Sequence, residues 1–134
     1  ILQEQIDRDG DDIQISRYDQ EGRIVEERRT RNGTLVLLRN YSWDEDRLIR
    51  VEERGEGREI IREIQWVDDA IVGETRIIDG NKVTDTVWKN PQDKVETHYR
   101  DGEAVIRVHW VDGEKVREEF LRNGVVVRVR EEGM

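Results

Sequence analysis

Glycine recurs in this chain with a period that few folds accommodate. Asp9-Gly10, Asn32-Gly33, Glu56-Gly57, Asp79-Gly80, Asp101-Gly102 and Asn123-Gly124 follow one another at intervals of 23, 24, 23, 22 and 22 residues. A fixed period in the twenties marks a repeat architecture, in which one supersecondary unit is copied along the chain. Trp43, Trp66, Trp88 and Trp110 each stand 14 residues before one of these glycines, and Tyr18 stands 15 before Gly33. All four tryptophans therefore share one repeat position.

A second turn follows each aromatic, at 19–22, 44–46, 67–69, 89–92 and 111–113. Asp-Gly and Asn-Gly favour the left-handed dihedrals of type I′ hairpin turns. Pro91, the one proline, suits the position of a type I turn that needs a fixed φ. Turns thus arrive about every 11 residues, separated by 7–9-residue segments that alternate apolar and polar residues. Ala104, Ile106, Val108 and Trp110 form one such series. The pattern predicts a single all-β domain over 1–134, an antiparallel meander of about twelve strands. Five hairpin repeats span 11–33, 34–57, 58–80, 81–102 and 103–124, with partial strands at 1–8 and 125–131. The expected form is an extended, single-layer twisted sheet; the alternative is a closed β-barrel, which removes both edges.

Composition agrees with a thin sheet. Only 34% of the 134 residues are hydrophobic and 41% are charged, against roughly 45–50% apolar in ordinary domains. With two-residue turns, Glu96 would face Arg107, Arg107 would face Glu118, Glu119 would face Arg128 and Phe120 would face Val127. Such cross-strand pairs contribute about 0.2–1 kcal/mol each. The formal charge of −9 disfavours nucleic acid, whose binders need a basic stripe. The longest apolar run, 35–38, is too short to span a membrane as a helix. The chain opens on Ile1, as expected of a processed or partial chain.

The segment Trp110-Val111-Asp112-Gly113-Glu114-Lys115-Val116-Arg117-Glu118-Glu119-Phe120-Leu121-Arg122-Asn123-Gly124 resembles the repeat of the YwqK-type antitoxin family, related to MORN-like repeats. Tyr18-Asp19-Gln20-Glu21-Gly22-Arg23-Ile24 looks like the YD repeat of bacterial Rhs-type surface and toxin-delivery proteins. The resemblance covers 11–124 and departs from the pattern at Glu45-Asp46 and Asp68-Asp69, where Asn/Asp-Gly is expected. It implies a bacterial β-hairpin array, often exported or held in the cell envelope. Neither pattern carries a catalytic residue.

Candidate sites are few. The column Trp43, Trp66, Trp88 and Trp110 could serve as a ladder of platforms for sugar rings or peptide, or as the packing element of each repeat. Acidic turns (Asp9, Asp11 and Asp12; Asp44, Glu45 and Asp46; Asp68 and Asp69) lack the loop patterns of calcium sites and read as solvated carboxylates. His98 and His109 are expected on one side of the sheet, too far apart for one metal. Cysteine is absent, which removes thiolate chemistry. No cofactor and no metal are expected, and no enzymatic activity. The expected function is a protein-interaction surface or structural spacer of a larger, exported bacterial protein. Its partner would be another protein or further repeats met through a sheet edge or face, and edge-to-edge self-association is an additional expectation. The alternatives are a small-ligand-binding barrel, or a glycan- or peptidoglycan-binding module using the tryptophans.

Overall fold

A computed structural model describes residues 3–132. All secondary structure among them is β: β1 (Gln3–Asp9), β2 (Asp12–Tyr18), β3 (Ile24–Arg31), β4 (Thr34–Asp44), β5 (Arg47–Gly55), β6 (Arg58–Val67), β7 (Ala70–Ile78), β8 (Asn81–Asn90), β9 (Asp93–Arg100), β10 (Glu103–Val111), β11 (Glu114–Arg122) and β12 (Val125–Glu131). The strands follow one another in sheet order from β1 to β12. Each strand lies beside its sequence neighbours, as the repeat reading predicts. Among the described residues β1 and β12 have one neighbouring strand each, so the sheet is an open meander and the barrel alternative is set aside. The segment 1–2 at the start of the expected first partial strand lies outside the described residues.

Turn chemistry explains the strand ends. Asn32-Gly33, Asp79-Gly80, Asp101-Gly102, Asp112-Gly113 and Asn123-Gly124 have positive φ at both positions, Asn123 at 53° and Gly124 at 77°. This is the I′ geometry, whose twist matches that of the flanking strands. At the first turn the prediction is off by one: Asp9 pairs with Asp12, so Gly10 begins the turn. At 91–92 the Asn90 side chain accepts hydrogen bonds from the backbone N–H groups of Gln92 and Asp93, both at 3.0 Å. Asp19 does the same in the 19–23 loop, accepting from the N–H of Glu21 (3.0 Å) and of Arg23 (2.9 Å).

The predicted register needs correction. Glu96 pairs with Val108, and Arg107 pairs with Thr97 on one side and Glu119 on the other. Glu119 pairs with Val129, and Phe120 with Arg128. The cause is a bulge beside the turn. Between β9 and β10 the ladder skips Val105, between β10 and β11 it skips Val116, and between β11 and β12 it skips Val127. One extra residue shifts every later pair and exchanges faces. The β1–β2 ladder runs without such a shift.

The chain divides into two compact units, 1–61 and 62–134. In the first, Ser16 is the buried residue among those described. In the second, Ile64, Val108, Leu121 and Glu119 are buried. No described side chain is fully enclosed. Sheet hydrogen bonds and half-buried cross-strand pairs therefore carry much of the stability, at about 0.2–1 kcal/mol per pair.

Candidate functional site

Repeat phase and pleat together set the aromatic column. Side chains alternate between faces along a strand, while directly paired residues share a face. Trp88 pairs with Lys94, Lys94 with Trp110, and Trp110 with Lys115. The unit 62–134 thus carries a row alternating tryptophan and lysine over four strands. The Lys94 ammonium lies 6.0 Å from the Trp88 ring centroid and 5.1 Å from that of Trp110. Cation–π contacts of this kind are worth about 0.5–1 kcal/mol at exposed sites. Lys94 also approaches Glu96 at 3.6 Å.

Trp66 and Trp88 line an open groove of about 510 Å³ together with Ala70, Ile71, Val72 and Pro91. A second groove, about 530 Å³, is lined by Trp110, Val108, Ile106, Glu96, His98 and Lys115. The Trp110 Nε1 donor is enclosed and has no hydrogen-bond partner among the described residues. In the unit 1–61, Trp43 differs: its Nε1 donates to the Ile24 carbonyl at 2.7 Å, and the Arg23 guanidinium stands 5.9 Å from its ring. All four tryptophans are half-buried. They pack against their repeats and still present ring surface.

The opposite face of 62–134 holds polar clusters that sequence reasoning missed. Glu119 is 8% exposed. It accepts a hydrogen bond from His109 and lies 3.7 Å from Arg107 and 3.6 Å from Arg117. The His109 hydrogen bond, with the neighbouring positive charges, holds the Glu119 carboxyl below its ordinary range despite burial. Asp85 is the second centre. Thr75 and Tyr99 donate to it at 2.6 and 3.0 Å, and Lys82 pairs with it at 2.9 Å. Burial pushes the Asp85 carboxyl up, and these partners outweigh burial and bring it below its usual value. In 1–61 the comparable centre is Glu27, which accepts from Tyr41 and from Gln14. Burial first, then the Glu27 hydrogen bond, pushes the Tyr41 phenol up to about 12.

The register also separates the histidines. His98 pairs with Ile106, whereas His109 lies three residues beyond Ile106 on the same strand, so the two face opposite sides. This corrects the one-sided placement. Glu26, Glu74, Glu96 and Glu118, each eight residues after the aromatic of its repeat, meet a base, with Arg28, Arg62, Lys94 and Lys115 at 3.2, 2.7, 3.6 and 2.6 Å. Asp12 of the first acidic turn is held by Arg31 at 2.9 Å and Arg29 at 3.7 Å. Among the described residues no group of three or more His, Asp or Glu is arranged to hold a metal ion. No described helix is long and apolar enough to cross a membrane.

Hairpin phase, open edges and a banded aromatic face define a β-hairpin-repeat protein of the open-meander class. Residues 1–112 match a family model whose description reads only "uncharacterised protein", and the chain belongs to that family. No curated protein matches the chain.

Proposed function

We propose that this chain is a non-enzymatic β-repeat module that docks other protein through its sheet edge, as an interaction surface or structural spacer of a larger, exported bacterial protein. The observation that carries this reading is β12. Its residues are all exposed, with Val125 at 63%, Val127 at 60% and Val129 at 42%. An edge strand offers a row of backbone donors and acceptors to an incoming strand. The exposed valines, Val125 and Val129 on opposite faces of the strand, add apolar area to those backbone bonds, while Arg128 and Arg130 restrict which strand can pair. The likeness of 11–124 to YwqK-type and YD-type arrays supports the bacterial, exported setting. Affinity capture from the native host, with the whole chain and with the Val127→Lys/Val129→Lys variant as baits, tests the reading. A partner held by the first and lost on the second is expected. Equal capture by both, or none by either, refutes it.

A second reading, glycan or peptidoglycan binding on the tryptophan face, is favoured by the Trp66–Trp88 groove and by the enclosed Trp110 Nε1 donor. Tryptophan emission should then shift on titration with peptidoglycan fragments, and Trp88→Ala should abolish the shift. Unchanged emission across a fragment series removes this reading.

A further inference from the structure

Pairing follows one rule in the first and the last two repeats, while between Gly33 and Gly57 it is offset by two, with Leu38 facing Arg54 and Arg39 facing Glu53. Between Gly10 and Gly33, Gln14, Ile15, Ser16 and Arg17 pair with Arg29, Arg28, Glu27 and Glu26. Between Gly80 and Gly102, Thr84, Asp85, Thr86 and Val87 pair with His98, Thr97, Glu96 and Val95. Between Gly102 and Gly124, Ile106, Arg107, Val108 and His109 pair with Phe120, Glu119, Glu118 and Arg117. In these three repeats the fourth to seventh residues after one turn glycine face the fourth to seventh before the next. β12 follows Gly124 and so has the phase of a first strand. β1 precedes Gly10 and has the phase of a second strand. Among the described residues each is flanked on one side only.

We propose that β12 of one copy pairs antiparallel with β1 of a second copy, so that the two strands complete a repeat and copies join head to tail. This rests on the edge-docking reading and names its partner as a second copy of the chain. The rule kept by the two repeats that would flank the joint, 11–33 and 103–124, sets the register: Arg128 opposite Ile6, Val129 opposite Gln5, Arg130 opposite Glu4 and Glu131 opposite Gln3. Charge agrees with it. Glu118 already pairs with Arg130, Glu4 with Arg17, and Arg17 with Glu26. Within one copy Arg17 reaches Glu4 at 3.2 Å and Glu26 at 3.7 Å. Joining the edges makes one continuous row, Glu118, Arg130, Glu4, Arg17 and Glu26, with the sign alternating at each step. Opposite charges directly across a ladder stabilise it, and like charges oppose it. β1 carries three acids and one base, and β12 two bases and one acid. A symmetric β12–β12 contact centred on either Arg128 or Val129 sets arginine against arginine, which disfavours it. Ile6 at 46% exposure and Val129 at 42% would lose water in the joint.

A heterologous contact of this kind leaves one β1 edge and one β12 edge free on a joined pair, to which further copies can add. Sedimentation velocity of the whole chain over a concentration series should therefore show mass growing past the dimer, with less growth at high salt. Glu4→Arg and Arg130→Glu should each weaken association about tenfold or more. An equimolar mixture of the two variants should recover it, because each then meets the opposite charge. Near-ultraviolet circular dichroism confirms that the variants remain folded. A readout independent of charge uses the absence of native cysteine. Gln5→Cys and Val129→Cys chains, mixed and mildly oxidised, should form a cross-linked pair, since directly opposed strand residues lie within disulfide reach. A Gln5→Cys and Val127→Cys mixture is the out-of-register control. A chain monomeric at every concentration, a species that stops at the dimer, or no 5–129 cross-link above control overturns the proposal. If a host protein is still captured through β12, the edge-docking reading survives that result. If nothing is captured, both readings fail.

Discussion

Glu119→Gln removes the charge from the most deeply placed acid of the 62–134 unit while keeping its size. The carboxylate accepts from His109 and stands 3.6–3.7 Å from Arg117 and Arg107. A hydrogen bond to an ionised group contributes about 1.5–3 kcal/mol, against about 0.5–1.5 for a neutral one. Exchanging one for the other costs about 1–2 kcal/mol. The arginine side chains are 37% and 43% exposed, so screening limits their share to about 0.5 kcal/mol. The expected loss is about 1–2.5 kcal/mol, or a midpoint roughly 3–10 °C lower for a chain of this length. The folded carboxyl is held below its ordinary 4.5. Between that folded value and 4.5 the unfolded chain binds more protons. The stabilisation is thus present above 4.5 and is lost as pH falls through the folded value. Urea melts read by tryptophan emission should show the full gap between wild type and variant near pH 6, closing as pH falls below 4.5. A variant within about 0.3 kcal/mol of wild type near neutrality, below the ordinary scatter of surface changes, would refute this account of the cluster. A gap of constant size at acid pH would refute the linkage.

Four further outcomes follow from the geometry. Gly55→Ala sets a Cβ 2.7 Å from the Val36 carbonyl oxygen, which is backbone and cannot swing away; about 1–3 kcal/mol should be lost in a denaturant melt. Gly73→Ala meets the far end of the exposed Gln65 side chain instead, so its cost should stay below about 1 kcal/mol, and equal losses at both sites would contradict the contrast. Asn123, at φ 53°, should tolerate glycine and lose about 1–2 kcal/mol as alanine, measured by the same melts. Tyr41, raised to about 12, should ionise well above free tyrosine in an alkaline absorbance titration, assigned by Tyr41→Phe; stability should fall as pH rises from 10 towards 12, where only the unfolded phenol ionises. A Tyr41 transition near 10 would count against its burial.

Strand number, strand order and the common phase of Trp43, Trp66, Trp88 and Trp110 were legible in the amino-acid order alone. Each depends on local chemistry: an Asn-Gly or Asp-Gly pair prefers positive φ whatever lies around it, and its spacing sets the strand length. Register was not legible in the same way. A bulge at Val105, Val116 or Val127 is decided by how two strands fit against each other and against the twist of their neighbours. The extra residue at Val116 moved Arg107 from Glu118 to Glu119, that at Val105 divided His98 from His109 between the two faces, and that at Val127 put Arg128 opposite Phe120. The Glu119 and Asp85 clusters, and the Trp88–Lys94–Trp110 row, exist only in the registers set by these skips and the like ones at Val83 and Lys89. The sequence by itself determined a meander of hairpins with its aromatic column. The tertiary structure decided which charges meet and which are buried, because side-chain facing has period two and one skipped residue reverses it.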